Sequence, residues 1–128
     1  MKTYSVSVRQ KFIAQHYLPH ETGKEHTPHS HHYFVEVRVY GEKLNEHDFL
    51  IDIVDLKNTL DHFIQQLSDR LLNDLDEFYG KNPSLEMLAY VLWEKIAPHL
   101  KGTNVTSARV VVWEEENIYA SYKGNIEK

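Results

Sequence analysis

Histidine is the residue type in this chain that stands out for chemistry. There are nine in 128 residues, and six of them (His16, His20, His26, His29, His31 and His32) fall in one short stretch. His29 and His31 are two apart at the entry to a strand-like run. In extended chain, both imidazoles then point to one face. His16 ends an earlier strand-like run. If the two runs pair antiparallel, His16 lies across from His29 and His31, and three imidazoles converge. Three nitrogen ligands with an open fourth position is the arrangement of a catalytic zinc site. Neutral imidazoles leave the ion its full charge, so it can polarise a substrate oxygen or lower the pKa of a bound hydroxyl. Spacing alone also fits a solvated polar loop, with His20, His26 and His32 as bystanders or an adventitious site. His47 and His99 read as surface residues.

The elements that must position these residues can be read from periodicity. Val6, Val8, Phe12 and Ala14 give a period-2 run from Tyr4 to His16. The polar stretch LPHETGKEHTPHS follows as a loop. Tyr33, Val35, Val37 and Val39 alternate in a second strand, His31 to Tyr40, which Gly41 ends. Ile53, Leu56, Leu60, Phe63, Leu67 and Leu71 recur at three and four residues, which predicts a helix of about five turns. Asn82-Pro83-Ser84 reads as a helix start with Ser84 as N-cap, and Leu85, Leu88, Leu92 and Ile96 form the next apolar stripe. Ala108 to Trp113 and Ile118 to Tyr122 supply two more strands. The order is ββααββ. An α+β fold follows, with a four-stranded antiparallel sheet and two helices on one of its faces.

Composition narrows the function classes. The length suits one domain spanning residues 1–128. There are no cysteines, which excludes a disulfide framework, a thiolate metal cluster and a cysteine nucleophile. No apolar run is long enough for a membrane span, and MKTYSVSVRQKF lacks a signal-peptide core, so a cytoplasmic protein is expected. The net charge of −5 argues against nucleic acid as a partner.

The whole chain resembles the family of 6-pyruvoyl- and 6-carboxy-tetrahydropterin synthases. FIAQH, then EHTPHSH and HYFVEVRVYG, is similar to the family's F-x-A-x-H, C-x-x-x-H-G-H and following strand. Asp52 with Leu56-Lys57 resembles D-F-x-x-L-K, and Leu72-Asn73 resembles the L-N that closes that helix. Asn82-Pro83-Ser84-Leu85-Glu86, with Leu88-Ala89 and Trp93, resembles N-P-T-x-E-x-L-A-x-x-x-W. Trp113-Glu114 and Tyr122-Lys123-Gly124 resemble the terminal E-T and Y-x-G. The resemblance implies a tunnelling (T-) fold whose subunits join into a ring, as a trimer or as a hexamer of two stacked trimers, with active sites at subunit interfaces. It implies zinc on His16, His29 and His31, and 7,8-dihydroneopterin triphosphate or a close relative as substrate. It places Glu114 on the pterin ring, with substrate contacts from Ser84 and Glu86. A carboxylate at Glu114 accepts two parallel N–H bonds from the 2-amino group and N3. Glu114-Glu115-Glu116 also reads as a charged turn. Glu86 lies in a first helical turn, where an acid suits the helix dipole in any case.

The catalytic positions are where the sequence departs from the family. The synthases carry a cysteine base four residues before H-G-H, and here that position is Glu25. A glutamate with a pKa raised by burial can also abstract a proton. A branch of the family with glutamate there cleaves the substrate side chain to give 6-hydroxymethyl-dihydropterin. The family's Asp-His pair aligns with Ser68-Asp69, so the histidine is absent and Asp69 becomes the candidate proton carrier. Asp61-His62 lies seven residues upstream, and His62 reads as helix surface. Ser30 replaces the glycine of H-G-H, a modest change, and His32 should point away from His31.

Two readings follow. The first is a zinc-dependent lyase that cleaves or rearranges the substrate side chain, to a 6-hydroxymethyl-dihydropterin or a 6-pyruvoyl- or 6-carboxy-tetrahydropterin, with Glu25 as base, Asp69 as a second proton carrier and Glu114 on the pterin. The second is a T-fold protein that binds a pterin or purine without the family's chemistry. Two open sheet edges with little lysine or proline fit a homo-oligomer whose edges pair.

Overall fold

Alternating apolar residues place one face of each strand against two helices. The structure is a computed structural model and describes residues 3–19 and 23–127, without the side chains of Lys24 and Glu25. The strands are β1 (Tyr4–His16), β2 (His29–Gly41), β3 (Ser107–Glu114) and β4 (Ile118–Asn125), and they form one sheet in that order, antiparallel throughout. The helices α1 (Ile53–Leu67) and α2 (Leu85–Ile96) lie between β2 and β3 in sequence. Both cover the same sheet face, α1 over β1 and α2 over β3 and β4. The ββααββ order read from periodicity is therefore present, and it is the subunit architecture of the tunnelling fold that the resemblance implies.

Register decides which side chains meet. Val8 pairs with Val37, Phe12 with Tyr33, and Val35 with Val112, so the apolar positions of successive strands line up on the helix side. Leu56, Leu60, Leu67, Leu88, Leu92 and Ile96 bury against them. Burying each such side chain contributes about 2 kcal/mol. Asp52 caps α1 by accepting from the Val54 amide at 2.9 Å, and Ser84 caps α2 by accepting from the Met87 amide at 3.1 Å. Trp93 on α2 donates its indole N–H to the Ala108 carbonyl at 2.9 Å and packs over Gly124, tying the helix to β3 and β4.

Several boundaries differ from the periodic reading, and β3 is one residue longer at each end than read. β2 begins at His29, two residues before His31, because His29 pairs with His16. β4 runs on to Asn125. The helix predicted through Leu71 stops at Leu67. Beyond it, Asp69 adopts a left-handed backbone (φ 61°), and the chain turns to hydrogen-bond the outer edge of β1. The Asp69 amide donates to the Ile13 carbonyl at 2.7 Å, and the Gln15 amide donates to the Arg70 carbonyl at 2.9 Å. Edge pairing satisfies groups that a further helical turn would have left facing water.

Candidate metal centre

The three histidines converge because of register and parity. His16 sits opposite His29 and Ala14 opposite His31, so all three imidazoles project from the helix-facing side at one end of the β1–β2 ladder. Their ring centroids are 4.6, 4.9 and 4.7 Å apart, and one nitrogen from each lies within 4.8 Å of the others.

Two of the rings are held through Nδ1. In His16 it lies 2.8 Å from the Pro83 carbonyl and 3.3 Å from the Tyr33 hydroxyl. In His29 it lies 2.8 Å from the Thr27 carbonyl. A carbonyl can only accept, so the network assigns the proton to Nδ1 and leaves Nε2 as the basic nitrogen. This is how metal-ligating histidines are oriented elsewhere. The Nε2 atoms of His16 and His29 and both ring nitrogens of His31 are shielded from solvent. Nε2 of His31 stands 2.6 Å from Oε1 of Glu114, a close approach without hydrogen-bond alignment. Basic nitrogens and a carboxylate gathered in a screened space fit a cation among them. The donor set suits a divalent transition metal with a coordination position left open.

The surroundings come from the end of the sheet and the start of α2. Tyr33, almost fully buried and stacked on Phe12 at 5.2 Å, backs the His16 ring. Glu114 pairs with Tyr33 across β2 and β3, which brings its carboxylate to His31. Ser84 sits next to Pro83, with its hydroxyl engaged in capping α2. Glu86 is exposed in the first turn of that helix.

Other predicted residues lie elsewhere. Glu25 falls in a single 3-10 turn, Gly23–His26, before β2, and its side chain is outside the described residues. His20 is likewise outside them. Asp69 is exposed on the outer edge of β1 and lines a concavity with Lys11, Ile13, His32 and Phe34. That concavity opens on the sheet face opposite the three imidazoles, so within one protomer Asp69 is not gathered with them. The end of α1 at Leu67 also removes Asp69 from the helix that carries His62. His62 is exposed, with Gln66 as a neighbour at 3.4 Å, and His47 and His99 are exposed too. His32 points to the open face, as its parity requires. Sequence reasoning missed the two carbonyls that hold His16 and His29. Asn82-Pro83-Ser84 signalled a helix start, and nothing local marked Pro83 as a partner of a residue 67 positions away.

Comparison with known proteins places these features in a family. The family described as 6-pyruvoyl tetrahydropterin synthase matches residues 5–125. A dihydroneopterin monophosphate aldolase from Pyrococcus furiosus is 31% identical over 106 residues, covering 83% of this chain and 85% of the relative. The solved 6-pyruvoyl tetrahydropterin synthase of Caenorhabditis elegans superposes with a TM-score of 0.82 at 21% identity, over 97% of both chains. A catalytic-residue variant of the Plasmodium vivax synthase, with alanine in place of a glutamate, gives 0.77 at 21% identity over 98% of this chain and 100% of that one. Among the described residues, no helix is long and apolar enough to cross a membrane.

Proposed function

The chain belongs to the 6-pyruvoyl tetrahydropterin synthase family, and we propose that it is a zinc-dependent lyase cleaving the side chain of a 7,8-dihydroneopterin phosphate to 6-hydroxymethyl-dihydropterin. The observation that carries this reading is the convergence of His16, His29 and His31, two of them held through Nδ1 with Nε2 turned inward. When bound there, zinc supplies Lewis-acid polarisation of the substrate's side-chain hydroxyls.

The chain's own residues do the rest. Glu114 accepts two N–H bonds from the pterin ring and sets the side chain against the imidazoles. Glu25 removes the proton from a side-chain hydroxyl. That oxygen becomes an aldehyde as the neighbouring C–C bond breaks, and its electron pair passes into the ring-conjugated system. A proton returned to the carbon completes the 6-hydroxymethyl product. Asp69 is the candidate carrier of that proton, acting on the site of an adjacent protomer. This requires β1 and β4 edges to pair between copies, in a trimeric or hexameric ring with sites at the interfaces.

Two relatives support the choice of reaction. The Pyrococcus furiosus protein is a dihydroneopterin monophosphate aldolase. The Plasmodium vivax protein shows that this fold accommodates a catalytic glutamate. The replacement of the family's Asp-His by Ser68-Asp69 favours a second reading, a T-fold protein that binds a pterin or purine without turnover.

One assay separates the readings. Zinc-loaded protein is incubated with 7,8-dihydroneopterin triphosphate or monophosphate, and the pterins are identified by mass. A 6-hydroxymethyl product that disappears in Glu25→Ala, with zinc content unchanged, is the expected result. A pyruvoyl or carboxy product overturns the reaction assigned, and full activity in Glu25→Ala overturns the base. Bound pterin with no conversion favours the binding module.

A further inference from the structure

The sheet face turned away from the helices carries a row of cations that the pterin chemistry does not use. Arg38 on β2 is directly opposite Arg109 on β3, and Arg109 is directly opposite Lys123 on β4. All three side chains share the open face. Adjacent strands are about 4.8 Å apart, so the row spans roughly 10 Å. Like charges directly opposite one another destabilise a sheet. The chain as a whole carries a net charge of −5, so three aligned cations are not a consequence of a basic composition.

The outer two are partly accounted for. Arg38 meets the buried Glu36 carboxylate through Nη2 at 2.8 Å and Nε at 3.2 Å. Lys123 places its ammonium over the Tyr40 ring, 4.6 Å from the centroid. Among the described residues, Arg109 in the middle has neither kind of partner. Among the described residues no carboxylate forms an ion pair with it, and its Nε is shielded from water without a hydrogen-bond partner. Glu36 forms no ion pair with it; that carboxylate meets Ser7 and Arg38 through Oε2 and faces Arg9 across the ladder.

We propose that this row is an anion site for a phosphate group, centred on Arg109. A guanidinium offers paired N–H donors matched to phosphate oxygens, and Lys123 adds a point charge beside it. The shared chemistry is a phosphate oxyanion, whether free or carried on a polyphosphate tail. The site lies on the opposite face from the three imidazoles and does not depend on the reaction assigned to them.

The test is isothermal titration of the purified protein with orthophosphate and, separately, inorganic triphosphate at low ionic strength. The variants are Arg109→Gln and Lys123→Gln. Binding should weaken about tenfold or more in Arg109→Gln, the loss expected of a charged hydrogen-bonding partner. Lys123→Gln should weaken it less, and metal content should stay unchanged in both. Equal affinity for the two anions assigns a single phosphate group, and binding of triphosphate alone assigns a polyphosphate tail. A melting measurement guards against misfolding. Without added anion, Arg109→Gln should melt at or above the wild-type temperature, because the central repulsion is gone. Added anion should raise the melting temperature most in the wild type, less in Lys123→Gln and least in Arg109→Gln. Unchanged affinity in Arg109→Gln, or no binding of either anion to the wild type at millimolar concentration, overturns the proposal.

Discussion

Glu114 and His31 meet diagonally across the β2–β3 seam, with Oε1 of one 2.6 Å from Nε2 of the other. The carboxylate proposed to hold the pterin thus shares a wall with a proposed metal ligand, and the two roles can be separated. Glu114→Gln should weaken pterin binding by about 2 kcal/mol, the scale of a charged hydrogen-bonding partner, with metal content preserved. Fluorescence titration with a pterin and metal analysis of the same sample check this. Loss of metal with intact pterin affinity would reassign Glu114 to the metal.

His16 is almost fully buried and tied to the Pro83 carbonyl. His16→Ala should remove both a metal donor and that anchor, and bound metal measured by mass spectrometry should fall to near zero. A ligand that binds only the folded state at a thousandfold its Kd contributes about 4 kcal/mol. A chelator should therefore lower the melting temperature of the wild type and leave that of His16→Ala unmoved. An unchanged wild-type melting temperature in chelator would exclude a stabilising ion.

Glu36 makes stability depend on pH. Burial pushes its carboxyl up, but the Ser7 hydroxyl and the Arg38 and Arg9 guanidinium groups together hold it below the usual carboxylate range. The unfolded chain then binds the extra proton, so stability rises with pH across this window. The contribution is complete above the ordinary carboxylate range and is lost as pH falls through the lower, folded value. Glu36→Gln should cost about 1 kcal/mol at neutral pH, a modest figure because Arg38 is half-exposed. Urea unfolding at neutral and acidic pH should show the difference shrinking toward zero in acid.

Gly41 ends β2 where the chain from Leu50 and Asn104 closes over it. A Cβ there would fall 2.5 Å from the Asn104 carbonyl oxygen, a backbone atom that cannot swing aside. Gly41→Ala should destabilise the fold by about 1–3 kcal/mol, read from the denaturation midpoint. A neutral result would mean that the Asn104 segment yields.

Ser84 caps α2 through its hydroxyl, next to the residue that holds His16. Ser84→Ala should cost about 1 kcal/mol of stability. If capping is its whole role, KM for the pterin should not change in steady-state kinetics, and a raised KM would restore the substrate contact that the family resemblance implies.

Much of the site was legible because strand parity is a local property. His29 and His31 share a face whatever the rest of the chain does, and His32 must oppose them. The pairing of β1 with β2 then brings His16 to them, as the alternation of both strands requires. Glu114 was harder to read. Its acidic neighbours Glu115 and Glu116 looked alike in sequence, and only the Tyr33–Glu114 register singles it out. Asp69 was misplaced on a helix because Leu71 continued the apolar period past the point where edge pairing with β1 became the better use of the backbone.

The amino-acid sequence by itself determined the order of elements, the buried face of each and the residue types available to a metal. These follow from backbone geometry that repeats over two or about four residues. Only the tertiary structure decided that Pro83 and Thr27 turn two Nε2 atoms inward, that Glu114 reaches His31, and that Arg38, Arg109 and Lys123 stand in one row. Apart from the Thr27 contact, which spans only two residues, each of these depends on the register of one segment against others, often distant in the chain. That register is set by the packing of the whole core, which no local period encodes.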